Sequence, residues 1–418
     1  MRNWAGNIAY STSEVRRPRS MEELQETVAG AGRVKAMGSG HSFNDVIDCT
    51  GTLVSTRGLP HAVHIDTRAA VAEVPASATY AELGPLLHSR GWALQNLGSL
   101  PHISLAGACA TATHGSGVDN GCLATSVVAL ELVCADGSVV IGREEDPDFP
   151  GMVVALGALG VVTRLWLSLL PTYDLAQDVV LDVPSSVMSR HGIDLLSSAW
   201  SVSVFTTFRR PGSIDSVWRK SRADSPTPAS TELWGGEAAD VPVHPIIGLD
   251  AGAATEQLAR PGPWHERLPH FRAEFKPSVG DELQSEFFVP LAHLDQVWPD
   301  LVAGSPGFAD ALHVMEIRSV AGDELWMSPF HDRQTLAIHA TWSSDLAATL
   351  PALRALETVL APYDPIPHWG KVFTAWDPLD LGRMYPDAAR FEQLAERLDP
   401  DRCFVNGYLS RLGVRQAP

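Results

Sequence analysis

The chain of 418 residues is long enough for two domains, and its 45% hydrophobic and 19% charged content is typical of a soluble globular protein. It carries 31 basic and 49 acidic residues, and the resulting net charge of −18 disfavours nucleic acid and anionic membranes as partners. The five cysteines lack C-x-x-C spacing, and no apolar signal core or membrane-length apolar run is present. We therefore expect buried thiols, no metal, a cytoplasmic location and a monomer.

The N-terminal part alternates short strands with helices, which predicts an α+β fold. Ser20 and Glu23 fit a capping box, in which each would satisfy a backbone donor of the other, and they open a helix that ends near Gly30. Thr79 is the predicted N-cap of a second helix, 80–90. Residues 127–141 predict a hairpin. No G-x-G-x-x-G motif leads into a helix, which argues against a nicotinamide dinucleotide fold.

A glycine-rich turn, residues 38–44 with the sequence Gly-Ser-Gly-His-Ser-Phe-Asn, follows a strand-like run. Glycines let the backbone approach a bulky ligand, and successive N–H groups in such a turn suit phosphate oxygens, although a structural loop is the alternative. The turn resembles the flavin-attachment turn of the vanillyl-alcohol-oxidase family. This resemblance implies FAD that is bound covalently through its 8α-methyl group to His41. It also implies cofactor contacts from Gly38, Ser39, Gly40 and Ser42.

The stretch 96–117 is dense in small and hydroxyl residues and has few charges. Such a composition lets the backbone lie along a flat polar cofactor, although small residues also permit close packing of elements. The stretch resembles the flavin-contacting segment of alditol oxidases and sugar-lactone oxidases. The resemblance implies that Ser99 faces both flavin and substrate. It further implies FAD contacts from Ser104, Gly107, Thr111, Thr113 and His114.

Three more expectations follow from this resemblance. Some relatives carry a second covalent flavin link from a cysteine, but here Ser99 takes the substrate-facing position and Cys109 lies deeper, so we expect one bond, through His41. Gly98 falls where the chain passes the oxygen-reactive edge of the flavin, and its missing side chain would leave room for O₂. Val162, in an apolar strand that ends before Pro171, is expected to lie against the flavin.

The composition changes after Pro171, which predicts a domain boundary. We expect a vanillyl-alcohol-oxidase-type architecture with an FAD-binding domain at 1–171 and a substrate domain with a mainly antiparallel sheet at 172–365. A C-terminal segment, 366–418, would return to the FAD-binding domain. The apolar run 241–252 reads as a surface connection without chemistry, and His265 and His270 are interpreted as packing residues rather than metal ligands.

Three strand-like runs, 282–289, 312–320 and 336–342, carry polar residues at a spacing of two. This period puts Gln284 and Glu286 on one face of the first run, and the other two runs follow the same pattern. The pattern predicts a sheet that lines a polar pocket, with an ordinary solvated face as the alternative. By resemblance to alditol oxidases, the residues around a bound polyol are Ser99, Gln284, Glu316, Arg318, His339, Thr341 and Lys371.

The run His-Trp-Gly-Lys at 368–371 is similar to a motif of the lactone- and alditol-oxidase branch. By this analogy Lys371 points at the reacting hydroxyl and His368 touches the flavin. Alcohol oxidation needs a hydride acceptor, which a flavin supplies at N5, and a group that takes the hydroxyl proton. The candidate catalytic residues are Glu316, Arg318, His339 and Lys371, and the identity of the base stays open.

The predicted function is FAD-dependent oxidation of the terminal alcohol of a polyol, such as xylitol or sorbitol, to the aldose, with O₂ reduced to hydrogen peroxide. An aldonolactone oxidase of the gulonolactone or arabinonolactone type is the near alternative. A non-catalytic flavin or carbohydrate carrier and a metal-dependent hydrolase are more remote alternatives.

Overall fold

The computed structural model describes residues 1–60, 62–210, 212–224, 232–275, 282–374 and 381–416. The strands of the first part of the chain are β1 (Val15–Arg16), β2 (Val34–Ala36), β3 (Thr52–Val54), β4 (His64–Asp66), β5 (Val71–Pro75), β6 (Trp92–Ala93), β7 (Val127–Val133), β8 (Val139–Arg143), β9 (Val161–Ser168) and β10 (Leu170–Pro171). Its helices are α1 (Met21–Ala29), α2 (Tyr80–Ser89), α3 (Leu105–Ala110) and α4 (Phe149–Val153).

Two main sheets organise this first part. Strands β1, β3 and β2 form a small parallel sheet, and the glycine-rich turn follows directly after β2. Strands β4, β5, β9, β7 and β8 form an antiparallel sheet in that order, and the predicted hairpin at 127–141 is confirmed as β7 and β8. The mixture of helices with separate sheets confirms the predicted α+β class.

The two predicted helix caps differ in the structure. Ser20 Oγ accepts from the backbone N–H of Glu23, but the Glu23 carboxylate accepts from Arg19 N–H instead of Ser20 N–H. The predicted capping box at α1 is therefore only half formed. Thr79 and Glu82 form the complete reciprocal box at the start of α2, where both backbone donors are satisfied.

The second part of the chain is built on one large antiparallel sheet. Its strands and those pairing with it are β11 (Asp174–Pro184), β12 (Ser201–Thr206), β13 (Ser213–Arg222), β14 (Glu237–Ala238), β15 (Pro261–Pro263), β16 (Glu282–Pro290), β17 (Leu312–Val320), β18 (Thr335–Ser343) and β19 (Ile366–Pro367). The spatial order is β14-β11-β13-β12-β17-β18-β16-β19, with β15 added beside β11. The helices are α5 (Ser186–Leu196), α6 (Trp264–Arg267), α7 (Leu294–Gly304) and α8 (Leu346–Leu360).

The two faces of this sheet are chemically different. Ile317 and Ile338 are fully buried in a hydrophobic core that they share with Leu294 of α7 and Leu353 of α8. Because side chains alternate along a strand, the residues between these apolar positions point to the opposite face. That opposite face carries the predicted polar residues, so the helices on one side fix the pocket on the other.

The C-terminal segment returns to the first part of the chain after β19 has paired with β16. It contains α9 (Leu381–Met384), α10 (Ala388–Leu398) and α11 (Gly407–Arg411). Leu394 and Leu409 join the hydrophobic core of the first part, and buried Lys35 donates to the carbonyl oxygen of Phe404. The boundaries at residues 171 and 365 stay predictions.

All five cysteines are buried free thiols. No helix among the described residues combines the length and the apolar character that a bilayer crossing needs.

Candidate active site

A cavity of about 740 Å³ lies against the polar face of the large sheet. Its size is within the range of about 300–1,000 Å³ that is typical of ligand pockets. The predicted site residues that line it are Ser39, His41, Ser42, Ser99, Gly107, Thr111, Thr113, His114, Gln284, Glu316, Arg318, His339, Thr341, His368 and Lys371. Residues far apart in the sequence therefore meet around one space.

Four predicted cofactor contacts do not line this cavity. Three of them, Gly38, Gly40 and Ser104, are neighbours of the lining residue Ser39. A Cβ on Gly38 would collide with the Ser104 hydroxyl, and Gly40 has a φ of +71°. Val162 lies on β9 opposite Leu132 and packs against the hydrophobic core. The structure does not bring Val162 to the cavity, and its contact with a flavin stays a prediction.

His41 lies at the tip of the glycine-rich turn, and the first ten residues hold this turn. Asn3 and Asn7 donate side-chain N–H groups to the backbone oxygens of Ser42 and Phe43, each over 2.8 Å. Burial and, to a smaller extent, the nearby charge of Lys371 lower the pKa of His41 to about 4. Neither ring nitrogen of His41 has a hydrogen-bond partner among the described residues, so a neutral imidazole is available on the cavity wall.

The sheet face places its polar residues in register across three strands. His339 on the central strand β18 lies opposite Glu286 on one side and opposite Glu316 on the other. Gln284 lies opposite Thr341, one alternation further along. This confirms that the polar residues at a spacing of two share one face.

Arg318 lies between two buried carboxylates on this face. Its Nη2 is 2.5 Å from Glu286 Oε1, and its Nε is 3.5 Å from Glu316 Oε1. Burial, the largest single influence, would raise the pKa of both carboxyl groups, but the Arg318 charge and the neighbouring imidazoles together outweigh it and hold both pKa values below the ordinary range. These three side chains therefore contribute two negative charges and one positive charge at neutral pH.

Lys371 and His339 share one acceptor. Lys371 Nζ donates to Gln284 Oε1, and His339 Nε2 lies 3.2 Å from the same oxygen. Burial lowers the pKa of Lys371 to about 8 and the pKa of His339 to about 3. The imidazole is therefore neutral, its proton is on Nε2, and its buried Nδ1 has no partner in the described part of the chain.

The small-residue segment forms the wall opposite this polar face. Gly98, Gly107 and Ala108 line the cavity without bulky side chains. The Ser104 hydroxyl beside them is buried and lacks a hydrogen-bond partner among the described residues, which is unusual for a buried polar atom. A flat ligand fits this wall, because the small residues let the backbone lie along it.

His114 and His368 lie where this wall meets the sheet. His114 Nε2 is 3.1 Å from Glu286 Oε1, and its Nδ1 is 2.8 Å from the carbonyl oxygen of Gly115. His368 Nδ1 accepts from the backbone N–H of Gly370 over 2.9 Å, and burial holds its pKa well below the ordinary value. Both rings are fixed by these contacts at the edge of the cavity.

Two interpretations of the sequence are corrected here. His270, interpreted as a packing residue, borders the cavity and lies 2.8 Å from Glu316 Oε1. The apolar run 241–252, to which no chemistry was assigned, brings His244, Ile246 and Leu249 to the cavity lining. Glu286 was recognised on the correct face but was not named as a site residue, although its alternation with Gln284 gave the signal.

Comparisons with known proteins identify both halves of this site. The family profile described as FAD binding domain matches residues 12–142, and the profile described as D-arabinono-1,4-lactone oxidase matches residues 283–412. The first match covers the glycine-rich turn and the small-residue segment, and the second covers the polar strands and the His-Trp-Gly-Lys motif.

Whole-chain relatives agree with these matches. An alditol oxidase of Streptomyces sp. is 45% identical, with 98% of each chain covered. An L-gulonolactone oxidase of Mus musculus is 26% identical, with 98% of this chain and 97% of the relative covered.

A crystal structure of a cholesterol oxidase from B. sterolicum superposes with a TM-score of 0.77, at 12% identity, over 98% of this chain and 96% of that one. This likeness concerns the fold alone. With 45% identity over almost its whole length, the chain belongs to the alditol oxidases, a branch of the vanillyl-alcohol-oxidase family of FAD-binding oxidoreductases.

Proposed function

We propose that the protein oxidises the terminal primary alcohol of a linear polyol, such as xylitol or sorbitol, to the aldose and reduces O₂ to hydrogen peroxide. The observation that carries this proposal is the row of hydrogen-bonding side chains, Gln284, Glu316, Arg318, His339 and Thr341, on one face of the large sheet. A linear polyol has a hydroxyl group on each carbon, so it can form hydrogen bonds with several of these side chains at once. The relative that bears the alditol oxidase name is 45% identical, against 26% for the gulonolactone oxidase, which supports a polyol over a lactone.

We further propose that FAD is attached covalently to His41. The support is a neutral imidazole without a hydrogen-bond partner among the described residues, on the wall beside the small-residue segment. Ser99 lines the cavity, whereas Cys109 is buried in the core of the first part, which favours a single link. When bound, FAD accepts a hydride from the alcohol carbon and transfers electrons to O₂.

The side chains of the protein handle the oxygen and its proton. The Lys371 ammonium group binds the reacting hydroxyl and stabilises the negative charge that develops on its oxygen. We assign the proton to His339, whose ring is neutral and whose Nδ1 has no hydrogen-bond partner among the described residues. Glu316, Arg318 and Thr341 hold the remaining hydroxyl groups and thereby align the carbon that reacts.

An aldonolactone oxidase is the second candidate, because the profile that covers the polar strands is the one described as D-arabinono-1,4-lactone oxidase. Peroxide release from xylitol and sorbitol, compared with release from a gulonolactone, separates the two functions. We expect kcat/KM to be higher for the polyols. Faster turnover of the lactone would replace the first proposal with the second.

The covalent bond is tested by the visible spectrum of acid-precipitated and redissolved protein. We expect the flavin absorbance to remain with the wild-type chain and to be absent from His41→Ala. His102→Ala is the matched control, since His102 is a neighbouring imidazole outside the cavity lining. Flavin that persists on the denatured His41→Ala chain would show that another residue forms the link.

A further inference from the structure

Two further buried side chains form a hydrogen-bonded chain with Glu316; His270 borders the cavity, and Lys220 lies outside its lining. His270 Nε2 lies 2.8 Å from Glu316 Oε1, and His270 Nδ1 lies 3.2 Å from Lys220 Nζ. Lys220 belongs to β13 and is 1% exposed, and His270 is 5% exposed. We call Lys220 and His270 together the relay.

The contacts of Lys220 indicate a charged ammonium group. Its Nζ has three acceptors, namely the carbonyl oxygens of Leu268 and Pro269 and Nδ1 of His270. An ammonium group has three N–H donors, whereas a neutral amine has two and would direct its lone pair at one of these acceptors. Burial lowers the pKa of Lys220 to about 7, and the carboxylate of Glu316 opposes this change.

The contacts of His270 fix its tautomer. Burial lowers its pKa to about 4, so the ring is neutral at pH 7 and carries one proton. Glu316 is ionised and can only accept, so Nε2 carries the proton and donates a hydrogen bond to Glu316, and Nδ1 accepts from Lys220. Ser203 Oγ, at 3.5 Å from the same Nε2, is the more distant neighbour.

Glu316 therefore presents two different oxygens. Oε1 accepts the N–H of His270 and faces Arg318 Nε, while Oε2 accepts no hydrogen bond from the described residues. Glu316 lines the cavity, so Oε2 is the oxygen that remains for a substrate hydroxyl.

We propose that Lys220 and His270 are positioning residues, which hold Glu316 ionised and fix its Oε1 so that Oε2 is aimed at a substrate hydroxyl. This inference rests on the proposed polyol oxidase function and goes beyond it by assigning roles to two residues that do not carry out the chemistry. Lys220 acts through His270, and His270 acts through Glu316.

Other charged groups also act on Glu316. Arg318 lies on the same strand, His339 faces it from β18, and Glu286 and Lys371 lie further away beyond β18. On the β12 side the residue opposite is Phe205, which does not titrate. Because Arg318 remains in relay variants, removal of the relay is expected to raise the pKa of Glu316 without abolishing its ionisation at high pH.

The test compares Lys220→Met, His270→Phe and His270→Gln, with Thr255→Val as the matched control. Thr255 is buried and its hydroxyl donates to the backbone carbonyls of Pro269 and His270, so this variant loses bonds in the same loop but keeps both relay side chains and the hydrogen bond between them. For each holoenzyme, kcat and KM for xylitol are measured from pH 4.5 to 9, together with bound flavin and melting temperature.

We expect His270→Phe and Lys220→Met to lower kcat/KM at pH 6 by about 10-fold, since each removes a hydrogen bond that supports a charged group. The acidic limb of the pH profile, which the low pKa of Glu316 places below pH 4.5 in the wild type, is expected to move upward into the measured range. His270→Gln, which keeps an N–H donor toward Glu316, is expected to recover most of the loss, and Thr255→Val to match the wild type.

Wild-type kcat/KM and an unmoved acidic limb in His270→Phe or Lys220→Met would overturn the relay. If His270→Phe does not fold, Lys220→Met and His270→Gln decide the question. A wild-type protein that is inactive on every polyol contradicts the proposed function instead, so the two failures are distinguishable.

Discussion

The indole of Trp4 is stacked on the imidazole of His41, with ring centroids 4.9 Å apart and ring planes inclined by 17°. Trp4 is anchored in turn, because its backbone N–H donates to the Gly40 carbonyl over 2.8 Å and its ring meets Phe43 edge-on. This stack fixes the plane in which the His41 nitrogens face the cavity.

Trp4→Leu is therefore expected to slow covalent attachment of FAD to His41. An aromatic pair is worth about 0.5–1.5 kcal/mol, so we expect the attachment rate to fall by about 2- to 10-fold. The measurement is the in-gel fluorescence of denatured protein, sampled during incubation of the apoprotein with FAD. Trp4→Phe keeps an aromatic face and is expected to lie between Trp4→Leu and wild type. Equal rates in all three proteins would show that the stack does not orient His41.

Local patterns in the sequence predicted the strands and their faces well. The run 312–320 is strand β17 from end to end, and the alternation of Glu316 and Arg318 with apolar neighbours identified the cavity face. Alternation with a period of two predicts which side chains share a face of the sheet. It does not predict which residues of neighbouring strands lie opposite one another. The position of His339 between Glu286 and Glu316 depends on the pairing of three strands, so it required the structure.

Irregular segments were the part that the sequence could not resolve. His270 lies in a loop after α6 without any periodic pattern, and its packing against Phe205 and Trp218 brings it to Glu316. Trp4 lies in the same kind of segment, and its contact with His41 joins residues that are distant along the chain. Resemblance named the residues around the substrate, whereas the residues that hold them in place came from three-dimensional contacts.

Arg318→Met is expected to destabilise the fold strongly, because it leaves Glu286 and Glu316 buried without their shared cation. Removal of one partner of a buried ion pair costs about 3–5 kcal/mol. The pKa values of both carboxyl groups are lowered in the folded protein, so their stabilisation is present above the ordinary carboxyl pKa and is lost as the pH falls. The difference in melting temperature between variant and wild type is therefore expected to be largest near pH 7 and to shrink in acid.

Glu286→Gln combined with Arg318→Met provides the matched comparison. It removes one of the two uncompensated charges and is expected to recover part of the lost stability. A double variant that is less stable than Arg318→Met alone would contradict the role assigned to the guanidinium group.

Gly98→Val tests whether the cavity wall at this point admits O₂. A Cβ at this position would lie 3.7 Å from the Thr113 methyl group and from the Ile103 side chain, which is ordinary van der Waals contact. Gly98→Ala is therefore expected to fold normally, while the two methyl groups of valine occupy the space beyond. We expect slower reoxidation of the reduced enzyme by O₂ in Gly98→Val, measured by stopped-flow absorbance, with anaerobic reduction by xylitol less affected. An unchanged reoxidation rate would disprove the access route.

Lys371 sets the expected behaviour at high pH. Burial lowers the pKa of its ammonium group to about 8, and the Glu286 charge opposes this effect, so the positive charge is present at pH 7 and is lost as the pH rises through about 8. If this charge stabilises the substrate oxygen, kcat/KM for xylitol falls above pH 8 by about 10-fold per pH unit.

Lys371→Met is expected to lower kcat by about 100- to 1,000-fold at pH 7, as for the loss of a donor to a developing oxyanion. Lys371→Arg keeps a group that stays protonated above pH 8. Its activity is expected to be lower than that of the wild type, but its kcat/KM is not expected to fall as the pH rises through 8. A wild-type kcat/KM that instead rises through pH 8 would assign the proton acceptor to the neutral Lys371 amine and remove that role from His339.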